Sequence, residues 1–89
     1  MTIALDAVCR TVGTVLGVSA PRADDRLVED LGAESIDLLN VVLTLEREYG
    51  LTVEESALTF ISTVRDLHRV VLASSHAATA DDSNARRPD

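Results

Sequence analysis

Ser35, His68 and Asp66 supply the residue types of a nucleophilic triad, and Cys9 is the one thiol in the 89-residue chain. A triad needs more than types, since its nucleophile must stand on a sharp turn beside donors that stabilise an oxyanion. Ser35 lacks a G-x-S-x-G elbow, and Asp66 and His68 stand two residues apart on one helical pattern, where side chains face different ways. Hydrolysis is therefore not the expected chemistry. Cys9 falls on an apolar stripe with no cation or helix N-terminus to lower its pKa, and reads as a small buried hydrophobe. His68 and His76 have no Cys or His partners at ligand spacing, and Asp24, Asp25, Glu29 and Asp30 lack a calcium-loop pattern, so no metal site is expected.

Ser35 stands in the stretch Leu27-Val28-Glu29-Asp30-Leu31-Gly32-Ala33-Glu34-Ser35-Ile36-Asp37, where a glycine turn delivers it to the start of a strong helical pattern. A serine there could simply be the N-cap. In that register Leu38 would occupy the position where a capping box wants Glu or Gln. Moving the cap to Glu34 puts Asp37 at that position and leaves the Ser35 hydroxyl free.

The elements around this stretch follow from periodicity. Leu5, Val8, Cys9, Val12, Val15 and Leu16 predict a first helix from about Thr2 to Leu16, stopped by Gly17. Gly17 to Ala33 reads as a long loop pinned by Leu27, Val28 and Leu31, and connections of that length tend to be functional. The second helix spans Ser35 to Tyr49 and is closed by Gly50. Its Val41, Leu45 and Tyr49 form a core-facing row, with Leu38 and Val42 beside it, while Ile36, Leu39 and Leu43 form a second apolar row. That second row could be buried between neighbours or serve as a docking surface. Because the first row already fills the core side, partial exposure is expected. Ser56 to Phe60 has room for a short helix, and Thr63 with Asp66 predicts a capped last helix striped by Val64, Leu67, Val70 and Val71. It is expected to end near Ala73, with residues 74–89 a disordered tail for want of large apolar side chains. The chain thus reads as one all-α domain over residues 1–73, with three longer helices, one short helix and a long first loop.

Asp30-Leu31-Gly32-Ala33-Glu34-Ser35-Ile36-Asp37 closely resembles the attachment motif of the acyl carrier protein family, which commonly reads Asp-Leu-Gly-Ala-Asp-Ser-Leu-Asp. Leu45-Glu46-Arg47-Glu48-Tyr49-Gly50 is similar to the family's ending of its second helix, and Ile61-Ser62-Thr63-Val64 to its opening of the last. The resemblance implies a small four-helix bundle and a 4′-phosphopantetheine arm on Ser35, transferred from coenzyme A by a separate magnesium-dependent phosphopantetheinyl transferase. Such a chain is a carrier and not an enzyme, holding acyl intermediates as thioesters on the arm. A discrete carrier of polyketide or fatty-acid synthesis is the reading that follows. A peptidyl or aryl carrier of peptide synthesis usually has Gly-Gly and a non-acidic residue before the serine, unlike Gly32-Ala33-Glu34. Partners implied are ketosynthase, acyltransferase or acyl-ligase enzymes with basic docking surfaces, for which Glu34, Ile36, Asp37, Leu39, Leu43 and Glu46 are the candidate recognition residues. Unpaired N–H groups and the positive dipole end of the second helix favour a phosphodiester there.

Composition agrees. Fifteen acids against eight basic residues, all of them Arg, give a net charge of −7, which disfavours nucleic acid and anionic membranes as partners. Residues 24–55 hold ten acids and two arginines, so the charge concentrates around the candidate serine and suits basic protein surfaces. Asn40 and Arg47 stand where many family members carry acids. With the absence of Lys, they lean the reading toward a specialised polyketide pathway. A single cysteine, no signal-peptide order and no apolar run of about 18 residues predict a cytoplasmic chain, expected to be monomeric.

Overall fold

The computed structural model describes residues 3–85, with side chains as far as Ser75. Three α-helices, α1 (Leu5–Leu16), α2 (Ser35–Tyr49) and α3 (Val64–Ala85), and a 3-10 helix (Glu55–Phe60) are its elements. α1 packs against both α2 and α3. Val8 and Val12 of α1, Val41, Val42 and Leu45 of α2, and Val64, Leu67 and Val71 of α3 meet in an aliphatic core that also takes Ile3, Leu27, Ala33, Leu51 and Val53. The expected all-α architecture of three longer helices and one short one is what the structure has.

Three local expectations need correction. α1 begins at Leu5, and Ile3, outside the helix and 2% exposed, is itself a core side chain. Its carbonyl O lies 2.8 Å from His68 Nε2 on α3 and so meets a tertiary partner; Thr2, where the helix was expected to start, lies outside the described residues. Val28 does not pin the first loop: Leu27 is buried but Val28 is 57% exposed. The reason is an antiparallel pairing of the loop with the segment before α3, in which the Leu27 N–H donates to Ser62 O at 2.9 Å and the Val64 N–H to Asp25 O at 3.1 Å, around a bridge between Arg26 and Thr63. That pairing turns Leu27 inward and its neighbour outward. Finally, the backbone of α3 continues to Ala85, twelve residues past the expected end at Ala73, so residues 74–85 are helical and not unstructured. The run from Ser74 to Ala85 contains neither Pro nor Gly and includes four alanines, the strongest helix former, so no residue in it stops the helix. Residues 86–89 of the expected tail lie outside the description.

The last helix is opened as its sequence predicts. Thr63 Oγ1 accepts the Asp66 N–H at 3.1 Å, and Asp66 Oδ2 accepts the N–H groups of Thr63 and Ser62, each at 3.1 Å. This capping box supplies acceptors for donors that the first turn of a helix leaves unpaired.

Candidate functional site

Ser35 is the first residue of α2 and is exposed. Three features deliver it there. Gly32 takes φ +72°, a left-handed conformation that favours glycine, and its N–H donates to Val28 O at 3.1 Å. Ala33 is 4% exposed and its N–H donates to Leu27 O at 2.9 Å, which anchors the chain to the core two residues before the serine. Glu34 is the N-cap, with extended backbone, and its N–H donates to Asp37 Oδ2 at 2.9 Å. The Glu34 carboxylate faces the Asp37 N–H as the looser half of this capping box, since it makes no close cap bond. The cap thus lies at Glu34, and the Ser35 hydroxyl has no hydrogen-bond partner among the described residues. The N–H groups of Ser35 and Ile36 are likewise unpaired first-turn donors. A phosphodiester on Ser35 fits this setting: the oxygen that would carry it is accessible and bonded to nothing else, and two donors and the positive end of the helix dipole adjoin it.

The apolar row beside the serine is partly open. Ile36, Leu39 and Leu43 are 57%, 41% and 45% exposed, whereas Val41 and Leu45 are fully buried. Of the two acids proposed for recognition on α2, both have internal partners. Asp37 accepts the Glu34 N–H, and Glu46 is half-buried, its Oε2 accepting the Val53 N–H at 2.7 Å across the C-terminal end of the helix. Asp24 and Asp30 pair with Arg65 and Arg26 at 3.1 and 3.8 Å. Glu29, Glu34, Glu54 and Glu55 are exposed and form no ion pair among the described residues, so they carry the outward negative charge most directly.

The triad types do not assemble. His68 Nε2 lies against the Ile3 carbonyl and Asp66 caps α3, so neither serves Ser35. The Cys9 thiol is half-buried, and burial pushes its pKa up, helped by the negative charges of Asp6 and Asp25. Among the described residues no three His, Cys, Asp or Glu side chains stand together as metal ligands, and no helix is long and apolar enough to cross a membrane. Two exposed hydrophobes escaped the sequence reading: Val28, and Phe60 at 78% exposure. Phe60 carried a signal, being one of only two aromatic residues and placed in a turn-prone stretch with no helical stripe to bury it.

A family model described as the phosphopantetheine attachment site matches residues 6–71. An acyl carrier protein of Thermotoga maritima is 41% identical over 54 residues, covering 58% of this chain and 67% of that one. A chloroplast acyl carrier protein of Hordeum vulgare is 33% identical over 69 residues, which are 75% of this chain but 46% of its own length. The chain therefore spans between about half and two thirds of these relatives. Among solved structures, the solution structure of the oxytetracycline acyl carrier protein superposes with a TM-score of 0.68 at 27% identity, covering 88% of each chain.

Proposed function

The chain belongs to the acyl carrier protein family, and on that premise we propose that Ser35 is the residue that receives the 4′-phosphopantetheine arm, within a carrier unit of residues 1–73. Members of this family are carriers and not enzymes; the arm, once attached, supplies a terminal thiol that holds acyl groups as thioesters. The observation that carries the assignment is the exposed Ser35 hydroxyl, left unbonded by a cap one residue earlier, inside the matched segment. Attachment forms a bond between Ser35 Oγ and the phosphorus nearest the pantetheine of coenzyme A. The bond from that phosphorus to the bridging pyrophosphate oxygen breaks, adenosine 3′,5′-bisphosphate leaves, and the serine proton passes to the phosphopantetheinyl transferase or solvent. Ile36, Leu39 and Leu43 supply an apolar contact strip for the transferase and the acyl-handling enzymes, and Glu29 and Glu34 draw their basic surfaces toward the serine.

The acyl pathway is polyketide synthesis. Supporting this are Asn40 and Arg47 on α2, the absence of lysine, and the likeness to a carrier named for oxytetracycline. Intact-mass measurement after incubation with coenzyme A and a broad-specificity transferase is expected to show one added arm on the wild type and none on Ser35→Ala. Helical content of the variant should be unchanged, because its hydroxyl caps nothing. An alanine variant that still gains the arm would refute the assignment. Offering the loaded chain separately to a polyketide ketosynthase with its acyltransferase and to a fatty-acid set tests the pathway, since faster turnover by the fatty-acid enzymes would overturn the polyketide reading.

A further inference from the structure

We propose that Asp37 is a positioning residue for Ser35, acting through the Glu34 backbone N–H and not through its charge. The inference rests on Ser35 being the attachment residue. It starts from a competition between two registers of the same helix. Serine is among the preferred N-cap residues and Glu is a poorer one, so by intrinsic preference α2 would start one residue later, with the Ser35 hydroxyl accepting a first-turn N–H. The structure has the opposite register, with Glu34 as N-cap and Ser35 inside the helix. The Glu34 side chain contributes only the looser half of the capping box, facing the Asp37 N–H without a close cap bond. The short contact that belongs to the Glu34 register is the 2.9 Å bond from the Glu34 N–H to Asp37 Oδ2. In the later register Leu38 would take the place of Asp37 and has no acceptor to offer. Asp37 therefore selects the register in which the serine oxygen is free to act as a nucleophile.

The upstream anchor alone does not select it. Ala33 is held by Leu27 O and by burial, but the free φ and ψ of Glu34 lie between that anchor and the serine. The Asp37 bond fixes the Glu34 amide and closes the gap. The surface that a transferase grips on α2, Ile36 and Leu39, is the same in either register, so losing the bond leaves binding intact and lowers the fraction of carrier whose hydroxyl can react. That predicts an effect on kcat and not on KM. A charge contact with a basic partner predicts the reverse, a raised KM that fades with added salt.

The test compares Asp37→Ala with Asp37→Asn, whose side-chain carbonyl can still accept the Glu34 N–H but carries no charge. Loading kinetics with coenzyme A and the transferase are expected to show kcat reduced about fivefold or more in Asp37→Ala at unchanged KM, with most of the rate recovered in Asp37→Asn. Amide exchange of Glu34 in the unloaded proteins, followed by NMR, should be fast in the alanine variant and slow in the asparagine variant. Equal impairment of both variants, with a raised KM that salt abolishes, would overturn the proposal in favour of charge recognition. Wild-type kinetics in Asp37→Ala would overturn it too. Failure of the wild type to load, or loading of Ser35→Ala, would instead bring down the Ser35 assignment and this inference with it.

Discussion

At the scale of single residues, Asp37 and Asp66, each in the first turn of its helix, do comparable work at the starts of α2 and α3. Each sits three residues into a capping box and accepts the N–H of the residue that begins it. For Asp66 the Thr63 N–H bond is the main cause that holds its carboxyl below the usual carboxylate range, joined by the Ser62 N–H, the Thr63 hydroxyl and the Arg69 guanidinium against an opposing push from burial. Because the folded-state pKa is below the unfolded one, the contribution is present above about pH 4, the unfolded value, and disappears as pH falls from there through the folded pKa. Asp66→Ala is therefore expected to lower stability by about 1 kcal/mol at neutral pH, with the gap from wild type narrowing below about pH 4 in urea unfolding. A gap independent of pH would remove the ionised carboxylate from the explanation. Cys9 is the contrasting case, a half-buried thiol on the apolar stripe of α1 whose pKa is pushed up by burial and by the charges of Asp6 and Asp25.

At the scale of elements, α2 carries two apolar rows that differ in burial. Leu45 is fully buried among the core side chains, so Leu45→Ala removes packed methyl groups and should cost about 2–5 kcal/mol. Leu39 is 41% exposed, and Leu39→Ala should cost less than about 1 kcal/mol while weakening the encounter with carrier-binding enzymes. Thermal unfolding of the two variants side by side checks this; equal losses would make both rows core and withdraw the contact strip. The end of the same helix is closed by Gly50 in a left-handed conformation and by the Glu46 bond to the Val53 N–H, which folds the chain back so that Leu51 and Val53 reach the core. Glu46 is thus a structural acid first, whatever its part in recognition.

At the scale of the whole molecule, the net charge of −7 acts on approach more than on folding. The internal bonds of Asp37 and Glu46 and the ion pairs of Asp24 and Asp30 leave Glu29 and Glu34 as the carboxylates nearest in sequence to Ser35 with no close bond or ion pair among the described residues. Screening at physiological ionic strength sets in beyond about 8 Å, so such charges are effective only as a group near the contact. Glu29→Lys combined with Glu34→Gln is expected to raise the KM for loading without changing kcat, an effect that shrinks with salt. Glu46→Ala should instead lower the melting temperature. Loading that ignores both salt and the Glu29 and Glu34 changes would leave the apolar strip as the sole recognition surface.

The sequence by itself determined whatever depends on neighbours within about four residues. The stripe of α2 and the box at Thr63 and Asp66 are interactions between positions three or four apart, and a helix fixes the geometry of such pairs before any tertiary contact forms; the cap at Glu34 is of the same kind, one of two registers that the sequence left open. The motif from Asp30 to Asp37 carried the family for the same reason, being a single short stretch with one local geometry. Tertiary structure alone decided three further features. Val28 faces out because its loop pairs with Ser62 and Val64, more than thirty residues on; Ile3 stays out of α1 because it is core and meets His68, 65 residues away; and Glu46 turns inward to an amide seven residues on, beyond the end of its helix. In each case the competing local choice was reasonable, and the distant group that overrode it has no periodicity to announce it, because its position exists only once the chain has folded.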